Sequence, residues 1–306
     1  MQAGKESATA LVTAYVRAYH AINATDPIFN DTLASRFFTP EMLAFFGGNM
    51  AALLGAYDPD TAATGPDEAT ALAAVMRLTA PTTLSRSRFA EDSLRAAIAG
   101  GLGQYVLLGA GLETFAFRET ELLRFLRVFE LDHPATQAFK RRRLVELGWA
   151  DPEHLHYVPI DFATRSVAEA LRQSSFDPSV SAFTSWLGVT YYLPRETVLG
   201  TLRSLAGASA AGSAVVFDYY DLDAFDPQRV APRMRSTQAI TQRAGEPAVT
   251  GFDPSSLAGE LAALGWDLDL ELSPADLQTR YFAGRTDGYT ASEHVHVARA
   301  WRRRSG

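Results

Sequence analysis

The sequence predicts an α/β protein in which a doubly wound, largely parallel sheet follows a cap of helices. Three observations carry this expectation. Residues up to about Met76 show helical periodicity with no strand signal, the chain after Pro81 alternates short apolar runs with helical stretches, and the first such run, QYVLLG, leads into Gly-x-Gly at Gly109 and Gly111. Alternation of this kind builds a parallel sheet. Glycine at the first strand-to-helix turn lets backbone approach a ligand at the sheet's carboxyl edge.

In the N-terminal part, Leu11, Tyr15, Ala18 and Ile22 recur at spacings of three and four, which marks one face of a helix beginning near Ser7. The stretch AYDPDTAATGPDEAT, 56–70, is rich in Asp, Pro, Gly and Thr and reads as a surface loop between helices. Residues 1–80 are expected to form the cap and 81–306 the sheet domain. Strands are expected at 104–109, 127–132, 154–160, 180–186 and 213–220, with helices near 118–126, 135–147, 167–173 and 195–206 between them. After Tyr220 the chain is too polar for core and too long for a simple turn, so 221–256 reads as a lid-like insertion with a helix near 234–242. A helix near 254–264 and strands at 266–272 and 293–301 follow, the last two joined as an antiparallel pair across a short, turn-rich segment. Seven strands result.

With 306 residues, a formal net charge of -7 and a pI near 5.4, the chain is a poor match for nucleic acid or an anionic membrane. The basic run WRRR at 301–304 stands at the chain end, where it is solvated. The absence of cysteine excludes disulfides and thiolate zinc sites. The charged N-terminus does not read as a signal peptide, and the uncharged stretches 42–57 and 178–194 fall short of the ~20 apolar residues of a spanning helix. A soluble cytoplasmic protein with a small-molecule partner is the expectation. Nothing in the composition specifies an oligomeric state.

The Gly-x-Gly turn lacks the third glycine of a dinucleotide fingerprint, and Glu113 follows where a pyrophosphate would rest on a helix N-terminus. Glu130 and Asp132 end the second strand nineteen and twenty-one positions beyond Gly111, a spacing suited to ribose hydroxyls. Asp161 ends the third strand with Phe162 beside it, a pair that can hold an adenine by its amino group and its face. Acids at successive strand ends fit NAD or S-adenosyl-L-methionine. The missing glycine and the acidic rim favour S-adenosyl-L-methionine, which carries no phosphate.

These blocks, LGAGLET followed by FELDHP, with LSRSRFAEDSLRAAI, YVPIDF and SWLGVTYYLPRE, resemble the leucine carboxyl methyltransferase-like branch of the class I S-adenosylmethionine-dependent methyltransferases. The chain resembles especially the bacterial O-methyltransferases of that branch associated with polyketide biosynthesis. It implies a Rossmann-like seven-stranded sheet and S-adenosyl-L-methionine as cofactor. It also implies roles: Arg86 on the cofactor's carboxylate, Gly109, Ala110 and Gly111 in the turn, Asp132 or Glu130 on the ribose, Asp161 and Phe162 on the adenine side, and Trp186 nearby. Leu187 stands where many relatives have a glutamate, which implies a different acceptor pocket. Tyr19, His20, Leu187, Tyr191 and Tyr192 are the candidate acceptor residues, and His20 is the candidate general base.

The implied reaction is O-methylation of a small phenol, alcohol or carboxylate. Two rivals stay open: a non-catalytic protein that keeps cofactor or metabolite in a degenerate pocket, and an NAD(P)-dependent dehydrogenase. The pairs His154/His156 and His294/His296 have metal-binding spacing on a strand, but no third ligand is evident and no metal is expected.

Overall fold

The computed structural model describes residues 8–162 and 164–303; Ser7, where the helical pattern begins, and Arg304 of the basic run lie outside the described residues. Seven strands form one sheet: β1 (Gln104–Leu108), β2 (Arg127–Asp132), β3 (Leu155–Pro159), β4 (Ala182–Trp186), β5 (Ala214–Tyr220), β6 (Trp266–Leu272) and β7 (Val295–Arg302). Their order is β3-β2-β1-β4-β5-β7-β6. β1 to β5 run parallel, and β7 lies antiparallel between β5 and β6. The doubly wound reading is borne out, and the order reverses between β1 and β4.

Seven helices of ten residues or more accompany the sheet: α1 (Ala8–Asn23), α2 (Pro40–Ala51), α3 (Glu68–Ala99), α4 (Pro134–Glu146), α5 (Arg195–Ala208), α6 (Pro232–Arg243) and α7 (Pro254–Ala263). β1, β4 and β5 are buried at every residue, as central parallel strands covered on both faces must be. Alternation divides their side chains. Val106 and Leu108 join a core with Phe129, Trp186 and Phe217, while Tyr105 and Leu107 join the opposite one with Phe89, Leu94 and Phe115. A third cluster, including Tyr15, Phe37, Met50 and Met76, holds α1, α2 and the first half of α3 together.

Three expectations are corrected. The stretch 56–70 is not a plain loop, because its Asp-Pro and Pro-Asp pairs serve as helix starts. Asp58 caps the turn Pro59–Ala63, and Asp67 Oδ1 accepts from Thr70 N at 2.8 Å to begin α3. The helix expected at 118–126 is a four-residue turn, Phe115–Arg118, followed by a 3-10 turn at Leu122–Arg124. β6 and β7 pair antiparallel as expected, but the link between them is not a short turn segment, since it contains two helical turns, Pro274–Leu277 and Gln278–Phe282. The change of texture at Pro81 falls inside α3, which runs unbroken across it. The insertion after β5 is pinched at its base, where Phe252 N donates to Tyr220 O and Asp221 bridges Phe252.

Candidate active site

β1 delivers its chain into a turn where Gly109 and Gly111 both have positive φ, 71° and 55°. Neither position has room for a side chain. A Cβ on Gly109 would stand 2.8 Å from Val189 Cγ2, and one on Gly111 would stand 3.2 Å from Ala10 Cβ of α1. The turn is tied to β2, since Gly109 N donates to Leu131 O and Gly111 N to Asp132 Oδ2, while Asp132 Oδ1 accepts from His133 N at 2.6 Å. Burial raises the Asp132 carboxyl, and these two amides oppose the shift.

Helix α3 supplies the other wall. Arg86 is buried, its Nη1 donating to Asp218 Oδ2 at 2.9 Å and to Tyr191 Oη at 2.8 Å. Asp218, near the end of β5, also accepts from Gly188 N at 2.7 Å. Gly188 has φ 74°, and a Cβ there would collide with the Arg86 guanidinium, with Cζ at 2.9 Å. One turn on, Glu91 is held by Arg118, which also pairs with Glu119. Arg17 of α1 reaches over the glycine turn to Leu112 O at 2.7 Å and to the carboxylates of Glu113 and Asp31.

Between these walls lies a cavity of about 430 Å³. Its floor holds Tyr105, Ser185 and the glycine turn, one end holds Asp132, Asp161 and Phe162, and its roof is made by Thr9 and Thr13 of α1 with Glu246, Pro247 and Val249 of the insertion. The two roof segments touch where Thr9 Oγ1 donates to Glu246.

Of the residues singled out from the sequence, Arg86, Gly109, Ala110, Gly111, Asp132, Asp161, Phe162, Leu187 and Tyr192 line this cavity. Five do not. Glu130 is fully buried in an ion pair with Lys140 Nζ at 2.6 Å, a tie between β2 and α4. Trp186 points from β4 into the opposite core because strand alternation sends Leu187, not Trp186, toward the cavity. Tyr191 is stacked on Tyr220 at 4.1 Å and touches the lining through Arg86 and through its carbonyl, which accepts from Val249 N.

His20 is corrected as a base. It is buried, its Nε2 accepts from Ile28 N at 2.9 Å, and burial, with the Arg285 charge adding to it, pushes its pKa down to about 4. It pins the chain leaving α1. Tyr19 faces a separate surface cavity with Asp26, Arg77 and Arg285.

Reading from sequence misses Glu91, Asp218 and Glu246. The first was legible, since Arg86, Ser87, Ala90 and Glu91 fall on one helical face. The second was also legible as the single acid in an otherwise apolar strand, VVFDYY. No signal marks Glu246, which reaches the site through the excursion of the insertion.

Residues 10–206 match the leucine carboxyl methyltransferase family. The chain belongs to that family. YktD of Bacillus subtilis (strain 168), named as an S-adenosyl-L-methionine-dependent methyltransferase, is 33% identical over 303 residues, which span 98% of this chain and 99% of that one. A Mycolicibacterium gilvum (strain PYR-GCK) protein of the same description is 32% identical over 218 residues, 71% of this chain and 67% of its own. Two crystal structures share the fold at 14% identity and a TM-score of 0.60. One is a DUF574 family protein from Streptomyces avermitilis, matched over 97% of this chain and 98% of its own. The other is a Thermobifida fusca protein titled a methyltransferase, matched over 99% and 97%.

As a member of this family the protein is an S-adenosyl-L-methionine-dependent methyltransferase, which removes the dehydrogenase reading. The cavity of this methyltransferase fits its cofactor. The glycine turn gives the cavity a backbone floor, a buried guanidinium stands at one side, and acids end β2 and follow β3. When bound, S-adenosyl-L-methionine supplies the activated methyl group. The residues that would hold it are Arg86, Asp132, Asp161 and Phe162, all of which line the cavity. Among the described residues no group of three or more His, Asp or Glu could hold a metal, and no helix is long and apolar enough to cross a membrane.

Proposed function

We propose that this methyltransferase O-methylates a small, flat, largely apolar molecule that offers a hydroxyl group, of the kind made in secondary metabolism, in the cytoplasm. The observation that carries this reading is the wall beside the cofactor end of β4, where Leu187, Val189, Tyr192 and Leu193 meet Pro247 and Val249 of the roof. Apolar faces with few polar groups suit a compact ligand. A phenol or alcohol fits better than a carboxylate, because a carboxylate needs a cation and both arginines in the lining are committed. Arg17 serves Asp31, Glu113 and Leu112 O, and Arg86, tied through Nη1 to Asp218 and Tyr191, is kept for the cofactor's own carboxylate. The ionisable group of the roof is Glu246, which stands in for His20 as the candidate acceptor of the hydroxyl proton.

Incubation with methyl-labelled cofactor and a panel of phenols, alcohols and aromatic acids tests this directly. Labelled ethers are expected, with phenols the better acceptors. Labelling of aromatic carboxylic acids alone, or of a protein's C-terminal carboxylate with no small acceptor used, would overturn it.

A further inference from the structure

The amino-acid end of the cofactor carries two opposite charges, and the site described so far accounts for only its carboxylate. We propose that Glu91 is the positioning residue that takes the cofactor's α-ammonium, so that Arg86 and Glu91 on one face of α3 grip the two charges together.

Five carboxylates line the cavity: Glu91, Glu113, Asp132, Asp161 and Glu246. Four are placed for other work. Asp132 is held at the end of β2 by the amides of Gly111 and His133. Asp161 follows β3, two strands away from β1 on the side away from β4. Glu246 belongs to the roof and accepts from Thr9. Glu113 Oε1 accepts from Thr114 N and Phe115 N, and its Oε2 pairs with Arg17. Glu91 remains.

Its position suits the task. It lies five positions beyond Arg86, a rise of about 7.5 Å along the helix, which leaves room between the two side chains for a carboxylate and an ammonium on neighbouring atoms. Beside it, Tyr105 Oη and Ser185 Oγ form a hydroxyl pair at 3.0 Å in the floor, so the ammonium would enter a polar pocket. Arg118 grips both Glu91 oxygens from behind and fixes the carboxylate's direction. Each oxygen keeps lone-pair capacity for another donor.

The electrostatics agree. Burial pushes the Glu91 carboxyl up to about 6 against the pull of Arg118, and Glu113 and Glu119 push the same way. A buried carboxylate with acidic neighbours is relieved by an arriving cation.

Calorimetric titration of the full chain with S-adenosylhomocysteine, and with its analogue in which hydrogen replaces the α-amino group, separates the possibilities. In the native protein the analogue is expected to bind roughly tenfold to a hundredfold more weakly, the range of a charge-assisted hydrogen bond. Glu91→Gln keeps the shape and an acceptor for Arg118, and is expected to weaken S-adenosylhomocysteine by a similar factor while leaving the analogue unchanged. Glu91→Asp keeps the charge and is expected to fall between. Equal weakening of both ligands in Glu91→Gln would make Glu91 a structural partner of Arg118 only, and no weakening of either would remove it from the site; both overturn the proposal. It rests on the cofactor assignment, whose own failure would be distinguishable as no binding of S-adenosylhomocysteine to the native protein.

Discussion

Replacing Arg86 with Met separates its observed pairing with Asp218 from its proposed hold on the cofactor's carboxylate. Its partner Asp218 is fully buried, 2.9 Å away, and keeps only the Gly188 amide when the arginine goes. Breaking a buried pair from one side leaves an uncompensated charge and costs about 3–5 kcal/mol. That is a large part of the roughly 5–15 kcal/mol that holds a domain folded. Asp218→Asn alone leaves the amide bond geometry but strands Arg86, and it too is expected to destabilise. The double variant Arg86→Met/Asp218→Asn removes both charges and is expected to regain about 1–3 kcal/mol over the sum of the singles, the coupling of residues in direct contact. Cofactor affinity should not recover with it. The carboxylate contact is lost in either background, weakening binding by roughly tenfold to a hundredfold. Urea unfolding at neutral pH measures the first quantity and calorimetry the second. A single Arg86→Met variant as stable as the native protein, or strictly additive singles, would refute the pairing as the reason for the stability loss. Restored binding in the double variant would refute the assignment of the cofactor's carboxylate.

His20 is neutral in the fold with its pKa pushed down to about 4, whereas the unfolded chain takes up a proton near 6.5, so stability should fall by up to roughly 3 kcal/mol as pH drops between those values. In denaturant titrations His20→Asn should flatten that slope, and it should leave methyl transfer intact. His296 behaves oppositely: burial works against its charge, but its hydrogen bonds to the Asp221 and Glu271 carboxylates outweigh this and hold it up to about 9. Its contribution is full below about 6.5 and is lost as pH rises through about 9, a loss that His296→Gln should abolish in thermal scans. Asp132→Ala should weaken cofactor binding by calorimetry at least about tenfold. Glu130→Gln, by stranding the buried Lys140, should lower unfolding stability by about 3 kcal/mol with cofactor affinity little changed.

All seven strands and most long helices were legible because most strands are apolar runs bounded by turn residues and β6 alternates apolar with acidic residues, and the glycine turn with the acids of β2 and β3 marks the cofactor end. Pattern could not place β7 between β5 and β6, since either neighbour suits an apolar strand. It also could not choose between Asp132 and Glu130. That choice is made by Lys140, which approaches Glu130 from α4 and satisfies it. Trp186 and Leu187 were separable in principle, because adjacent strand residues face opposite ways. His20 was not: its direction is decided by the return of the chain to Ile28, a contact that no periodicity announces. The acceptor side was the least readable, because the roof joins Thr9 to Glu246 across most of the chain.

Helix α3 has 32 residues and so runs about 48 Å as a single rod, with Pro81 inside it. Its first half packs against α2 in the cap, and its second half carries Arg86 and Glu91 into the cofactor cavity before passing directly to β1. The cap is therefore no detachable accessory. A chain trimmed at the change of texture would lose the first turns of the very helix that aims the guanidinium, and a cap grafted from a relative would bring its own register with it. The packing of the cap and the placement of Arg86 are then inherited together through this rod. Attempts to exchange specificity should cut in the loops around residues 100–103 and in the insertion, and should move the rod whole.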